Sequence, residues 1–221
     1  MGNKSVFTVV VVVVIGLVGA GLLFNSQRAD EPLADEEIEP IVDTGEPDPA
    51  ADVVVTLEEF GDYQSSACAD LNPTLKKLKE EYAANLNVVF RNLPLTNINK
   101  NALPAAQAAE AARMQNRFWE MHDLLYQKQN EWKDQADPRP TFLKFAQDLG
   151  LDVERFTKDV DGEQVQFRIE ADKDAALAQG IQETPTIVLN GRRLKTDAVN
   201  ADGIREGIEV MLTRDSVESP D

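Results

Sequence analysis

The sequence predicts an α/β domain with a helical insertion, preceded by one transmembrane helix. Three features support this fold class. A strand–helix–strand pattern begins at residue 52, a stretch with helical periodicity follows residue 104, and two short strand segments precede a final helix. An uncharged apolar run at the amino end supplies the membrane helix. The remaining residues suffice for one domain with its own core.

The composition excludes several classes of function. The formal net charge of -17, from 39 acidic and 22 basic residues, repels nucleic-acid phosphates, so we expect no binding to nucleic acid. One cysteine cannot close an internal disulfide, and one cysteine with one histidine does not form a zinc cluster of the usual spacing. We therefore predict no metal site and no cofactor.

Residues 6–24 carry no charge, and a helix of this length spans the hydrocarbon core of a bilayer. Lys4 precedes the run and an acidic stretch follows it, so residues 1–5 are predicted to be cytoplasmic. The alternative is a cleaved signal peptide, because Val18 and Ala20 are small enough for a cleavage site. We predict a single-pass protein of the cell membrane, and either interpretation places the domain on the extracytoplasmic side.

Residues 25–51 are predicted to form a disordered acidic linker. Their acidic side chains and prolines, with a single basic residue at Arg28, provide too little apolar surface to offset the entropy of ordering. A solvated spacer is the simplest interpretation, and a calcium- or partner-binding arm is the alternative. Residues 52–221 then carry a net charge of -10.

The domain is predicted to span residues 52–214, with a flexible tail at 215–221. Its first unit is a buried strand at 52–61, an amphipathic helix at about 67–83 and a second strand at 87–93. This order is typical of a parallel βαβ unit.

The helical insertion and the closing unit follow from periodicity and from turn signals. Asn190–Gly191 is the strongest hairpin signal of the chain. It separates strand segments at 186–189 and 192–194, and a last helix begins near residue 202. Helices of the insertion are predicted at 104–128, 141–149, 152–160 and 163–179.

Cys68, the single thiol, lies in the first turn of the first predicted helix. The free N–H groups and the partial positive charge at a helix amino terminus stabilise a thiolate. Reactive cysteines use this position. Cys68 is therefore the first candidate for chemistry.

Four motifs occur in order along the chain: EFGDYQ shortly before Ala67–Cys68, Pro73 five residues past the thiol, FWEMHDLLY in the insertion, and ETPTIVLNG near the carboxyl end. Over about residues 53–213 they resemble the DsbA-like thioredoxin-fold family of exported thiol-disulfide oxidoreductases. The resemblance implies a thioredoxin-like fold with a helical insertion. It also implies exported polypeptides or a membrane redox protein as partners.

The chain departs from that family at the catalytic pair. The family has Cys-x-x-Cys where this chain has Ser65, Ser66, Ala67 and Cys68. By resemblance, Ser65 takes the place of the attacking cysteine and Cys68 that of the resolving one. A dithiol cycle needs two sulfurs, one to attack and one to release the mixed disulfide. The chain cannot complete that cycle by itself.

Several interpretations of Cys68 and Ser65 stay open at this point. Cys68 is a small buried apolar residue, a single thiol that forms mixed disulfides or sulfenic acid, or, least expected, a metal ligand. Ser65 as a hydrolytic nucleophile would need a base, and the one histidine, His122, is expected to be packed within its helix.

Thr184–Pro185 resembles the cis-proline loop of the family, which faces the helix that carries the thiol. The resemblance implies a cis peptide bond and a groove for extended peptides between Cys68 and Pro185. Three carboxylates, Glu58, Glu59 and Asp62, are expected to be solvated charges at the strand end. A buried acid in the position of Glu59 is the alternative that related proteins suggest.

The leading functional prediction is a membrane-anchored, extracytoplasmic and diverged thiol-disulfide oxidoreductase that keeps one thiol and carries out monothiol exchange at most. Cys68 and Ser65 are its candidate catalytic positions, Ser66 and Ala67 flank them, and Thr184 with Pro185 bind substrate. The alternative is a non-catalytic, chaperone-like module that binds peptides or proteins in the groove beside the proline loop.

Overall fold

The computed structural model of the protein describes residues 55–218, with side chains described as far as residue 213. The predicted cytoplasmic end, membrane helix and acidic linker, residues 1–51, lie outside this part of the chain. No helix within residues 55–218 is both long and apolar enough to cross a membrane.

Four strands form one mixed sheet. In the sheet their order is β2-β1-β3-β4. β1 pairs in parallel with β2 and antiparallel with β3, which forms a hairpin with β4. The predicted parallel βαβ unit is therefore confirmed. The strands are β1 (Val55–Gly61), β2 (Leu86–Asn92), β3 (Thr186–Leu189) and β4 (Arg192–Arg193).

The helices divide into two flanking elements and an insertion. α1 (Ser66–Glu81) connects β1 to β2, and α8 (Ala201–Glu218) follows β4 after a short 3-10 turn. The last four residues of α8 extend into the segment predicted as a flexible tail. The insertion between β2 and β3 holds α2 (Ala102–Arg113), α3 (Phe118–Gln127), α4 (Gln129–Trp132), α5 (Arg139–Asp148), α6 (Val153–Asp159) and α7 (Glu163–Ala178).

The single helix predicted for residues 104–128 is wrong. Two helices, α2 and α3, occupy this range, and the residues between them include Asn116 with a φ of 57°. This left-handed conformation ends a helix, and asparagine is one of the few residues with a side chain that adopts it readily. No glycine or proline marks the break, so the sequence pattern did not reveal it.

The start of α6 and the turn between β3 and β4 lie where the sequence predicted them. The Asp152 side chain caps α6 by accepting a hydrogen bond from the backbone N–H of Arg155 at 2.9 Å. Asn190 and Gly191 have φ values of 44° and 74°, as the tight turn of the β3–β4 hairpin requires.

The core consists of three groups of buried side chains. An aliphatic group lies between the sheet and helices α1 and α8, with Leu57 and Leu75 among its members. A smaller group around Phe60 packs the other face of the sheet against α7. The third fills the insertion with alanines and aromatic rings, and it includes Tyr63 and Cys68. Cys68, in the first turn of α1, is therefore buried against the insertion.

Candidate functional site

The strand-to-helix junction places Ser65 at the N-cap of α1. The Ser65 side-chain oxygen accepts a hydrogen bond from the backbone N–H of Cys68 at 3.4 Å, which stabilises the first turn. Ser66 and Ala67 are exposed on that turn, whereas Cys68 points inward. The predicted position of the thiol at a helix start is confirmed, and the half-buried side chain in the attacking position is a hydroxyl.

The thiol of Cys68 is fully buried, with a relative exposure of 0%. Burial, and to a smaller extent the nearby Glu59 carboxyl, raise its pKa to about 12. Hydrogen bonds with the Asp62 backbone and with the side chains of Ser65 and Thr184 lower the pKa but do not compensate. Desolvation therefore outweighs the helix dipole, and the sulfur is protonated at neutral pH. Of the interpretations that the sequence left open, the small buried residue agrees with this burial.

The Thr184–Pro185 peptide bond is cis, as the resemblance implied. The pair precedes β3, which is hydrogen-bonded to β1, and this pairing carries the loop to the start of α1. Thr184 lies close enough to Cys68 to lower the pKa of its thiol, and both Thr184 and Pro185 are half-buried. The structure therefore brings the two predicted parts of the site together.

Asp62 was expected to be a solvated charge, and this expectation is wrong. Its exposure is 1%, and its carboxylate accepts three hydrogen bonds. The donors are the backbone N–H groups of Gln64 at 2.7 Å and Leu95 at 2.9 Å, and the side-chain amide of Asn99 at 2.9 Å. Asp62 thus ties the loop before α1 to the loop after β2.

Glutamine and asparagine side chains hold the same loop from the insertion. The Gln129 amide donates to the backbone oxygens of Tyr63 at 2.8 Å and Ser65 at 3.0 Å. Gln64 accepts from the backbone N–H of Asn101 at 2.7 Å and donates to the Lys133 carbonyl at 2.8 Å. Sequence reasoning missed these residues, and no local pattern distinguishes them from surface amides.

Glu59 is also buried, so the expectation of a solvated charge is wrong there too. Its exposure is 2%, and its Oε1 has no hydrogen-bond partner within residues 55–218. Burial raises the pKa of the carboxyl to about 8. The alternative of a buried acid is therefore the correct one. Period-two alternation could have indicated it, because Val55, Leu57 and Glu59 point to the same side of β1.

His122 has a structural environment, as predicted. Its Nδ1 lies 3.0 Å from the Tyr63 hydroxyl and its Nε2 lies 3.1 Å from Oδ1 of Asn72, so both ring nitrogens have partners. Burial lowers its pKa to about 3, and the ring is neutral near pH 7. Since both nitrogens are occupied, His122 does not activate Ser65.

No group of three or more His, Cys, Asp or Glu side chains suited to a metal ion occurs within the described part of the chain. What the site offers is therefore a capped helix terminus, a buried thiol and a half-exposed proline loop. Among the described residues, none of these features is an exposed nucleophilic sulfur.

A family profile described as Thioredoxin matches residues 25–209, which is most of the chain. The chain belongs to this thioredoxin family.

Within it the chain is a DsbA-like protein. It is similar to oxidised BdbD from Bacillus subtilis, with 27% identity, a TM-score of 0.65 and coverage of 73% of this chain and 89% of BdbD. Its fold is also similar to that of the oxidoreductase DsbA from Xylella fastidiosa, with 21% identity, a TM-score of 0.62 and coverage of 75% and 87%. The predicted thioredoxin-like fold with a helical insertion is confirmed.

The curated relatives that the chain matches are named as Na⁺/H⁺ antiporters. The chain is 40% identical over 139 residues to the Na⁺/H⁺ antiporter NhaA 3 of Salinispora tropica, covering 63% of this chain and 20% of that protein. It is 34% identical over 204 residues to the antiporter NhaA of Herminiimonas arsenicoxydans, covering 88% and 31%. The chain thus spans less than a third of the length of these relatives.

Proposed function

We propose that the chain is a membrane-anchored, extracytoplasmic DsbA-like protein that binds extended segments of exported polypeptides. It holds them in the groove beside Thr184 and Pro185 and does not exchange disulfides by itself. Of the two functions that the sequence left open, this is the non-catalytic one.

The state of Cys68 carries the proposal. Thiol exchange requires a thiolate that can reach the substrate sulfur, and Cys68 is fully buried with a pKa raised to about 12. A pKa this far above neutral leaves about one thiol in 10⁵ ionised at pH 7. Ser65, half-buried in the attacking position, carries a hydroxyl, and the ring nitrogens of His122 have other partners.

The surface around the thiol supports the binding role. Ser66 and Ala67 are exposed on the first turn of α1, and Thr184 and Pro185 are half-exposed opposite them. The Asp62 carboxylate accepts a hydrogen bond from the backbone N–H of Leu95, the Gln129 amide donates to the Ser65 carbonyl, and both bonds hold the loop before α1 in place. A preorganised loop binds a peptide with a smaller loss of conformational entropy than a mobile one.

The extracytoplasmic location rests on the sequence. The uncharged run at residues 6–24 and the acidic stretch at 25–51 favour an anchor and a spacer, and the positive charge of Lys4 favours a cytoplasmic amino end. Membership in a DsbA-like group of proteins supports the same side of the membrane.

The binding role is tested with an unfolded polypeptide whose thiols are blocked, such as reduced and carboxymethylated α-lactalbumin, labelled for fluorescence anisotropy. The wild type and Cys68→Ala should bind it with affinities equal within about twofold, because no sulfur takes part. Ala67→Glu should weaken binding by at least about tenfold, since it places a charge in the groove.

Ala84→Glu is the matched control, because Ala84 is an exposed alanine just beyond the other end of α1. It should bind as the wild type does. Equal binding by Ala67→Glu and Ala84→Glu would contradict the proposed groove. Quantitative reaction of native Cys68 with iodoacetamide at pH 7 would contradict the absence of thiol exchange and restore the monothiol prediction.

A further inference from the structure

A second concave region lies on the flank of the domain. It is a cleft of about 380 Å³ between α1 and α3, beside strands β1 and β2. Neither Ser65 and Cys68 nor Thr184 and Pro185 line it. Its volume falls within the range of small-molecule pockets, roughly 300 to 1,000 Å³.

The inner part of the cleft contains a buried acceptor without a donor. Glu59 lines the cleft, its exposure is 2%, and its Oε1 has no hydrogen-bond partner in the part of the chain described. Buried carboxyl oxygens are almost always hydrogen-bonded, because an unpaired one loses its hydration without replacement. A ligand that brings an N–H donor would provide the missing partner.

The formal charges of the side chains at the rim of the cleft sum to zero. Lys76 and Asp123 form an ion pair at 2.6 Å, and Lys79 and Glu80 add one charge of each sign. An ionised Glu59 would therefore leave the cleft with one uncompensated negative charge. That count favours a ligand with a single positive charge.

Apolar side chains form part of the wall. Leu75 and Val88 are buried in the cleft, and the half-buried ring of Trp119 lies beside them. The Lys79 ammonium lies 4.0 Å from the centre of the Trp119 ring, so this ring already stabilises a cation. The wall suits an apolar stem attached to the positive group.

We propose that this cleft binds a small organic monocation, a primary ammonium group on a short apolar stem, with the ammonium against the Glu59 carboxyl. The ammonium donates to Oε1, and the stem packs on Leu75, Val88 and Trp119. The site is distinct from the peptide groove and does not depend on the function proposed for that groove.

Binding of a cation should depend on pH, because the carboxyl must ionise. The pKa of free Glu59 is raised to about 8, so complex formation below that pH releases one proton. Neither His122, with a pKa of about 3, nor Cys68, with a pKa of about 12, changes its charge appreciably between pH 6 and 7. The charged and titratable groups that face Glu59 are Tyr63, Cys68, Lys76, Lys79, Glu80, His122, Asp123 and Tyr126.

The test is calorimetric titration of the full-length chain with hexylammonium chloride, with hexanol and sodium hexanoate as uncharged and anionic counterparts. We expect saturable binding of hexylammonium that tightens about tenfold from pH 6 to pH 7, as release of one proton requires. Neither hexanol nor hexanoate should bind with an affinity that rises tenfold between pH 6 and pH 7. Glu59→Gln should weaken hexylammonium binding by at least about tenfold and remove the effect of pH.

Two further variants distinguish a cation site from other outcomes. Glu80→Gln, at the exposed rim, should change the affinity by no more than a few fold. Lys79→Met should tighten the binding of hexylammonium, because it removes a like charge. Absence of saturable binding, equal binding by Glu59→Gln, or preferential binding of hexanoate would each overturn the proposal.

Discussion

Two buried carboxyl groups lie three residues apart at the end of β1, and their surroundings are opposite. Asp62 accepts hydrogen bonds from three donors, whereas Oε1 of Glu59 has no partner within residues 55–218. Both are almost fully shielded from solvent. The comparison teaches that burial by itself does not define the role of an acid. Asp62 holds a loop in place, whereas the burial of Glu59 without a donor to Oε1 costs free energy.

The difference follows from the backbone around each group. Asp62 follows the strand, where the turn N–H of Gln64 and the loop N–H of Leu95 converge on it. Glu59 lies within the strand, where neighbouring backbone groups are already used in the sheet. An acid without local donors must find a partner elsewhere or stay protonated. Changes at the two positions should therefore have effects of opposite sign.

The largest effect is expected from Asp62→Ala. The change leaves three donors without their acceptor and should lower the free energy of unfolding by about 3 to 5 kcal/mol. Asp62→Asn keeps the shape and one acceptor oxygen, so its cost should be smaller. Urea unfolding measures both. A cost below about 1 kcal/mol for Asp62→Ala would mean that the loop does not depend on this carboxylate.

Glu59→Gln should stabilise the protein at alkaline pH. The pKa of Glu59 in the folded protein, about 8, lies above its ordinary value of 4.5, so the folded state holds the proton more tightly than the unfolded chain does. The stability that this group contributes is present below pH 4.5 and is lost as the pH rises towards 8, by at most about 1.4 kcal/mol per pH unit.

Unfolding of the wild type and of Glu59→Gln at pH 5 and pH 8 measures that loss. From pH 5 to pH 8, the free energy of unfolding of Glu59→Gln should rise by several kcal/mol relative to that of the wild type. Glu80→Gln, which removes an exposed carboxylate from the same cleft, should show little change. Parallel curves for the wild type and Glu59→Gln would show that Glu59 titrates normally in the folded state.

The smallest effect on stability is expected from Ser65→Cys. A Cys at position 65 and Cys68 lie one helical turn apart, a separation of Cα atoms that a disulfide accepts, so mild oxidation should join them. Closing so short a loop should add no more than about 1 to 2 kcal/mol. Intact mass with thiol alkylation detects the bond, and two alkylated cysteines after oxidation would argue against the placement of both residues.

Much of the fold could be predicted because its signals are local. The β3–β4 hairpin follows from Asn190–Gly191, and the start of α6 follows from the cap at Asp152. The break between α2 and α3 depends on the conformation of Asn116, which tolerates but does not demand a positive φ. A break of this kind carries no pattern that periodicity can detect.

The sequence predicted where the site lies, but it did not predict the protonation of the thiol or the hydrogen bonds around it. Motifs placed Cys68 beside Thr184, and the structure confirms that contact. The raised pKa of the thiol and the three bonds to Asp62 depend on groups distant in sequence, such as Leu95 and the helices of the insertion. Desolvation and long-range hydrogen bonds arise only when the chain has folded, so a linear pattern does not contain them.

β4, one of the two edge strands of the sheet, affects how readily copies of the protein aggregate. β4 is two residues long, and both of its residues are exposed arginines. So short an edge strand offers an incoming strand few backbone partners, and Arg193 is already paired with Glu183 at 2.7 Å. This margin of the sheet therefore protects against edge-to-edge aggregation, even where many copies lie close together.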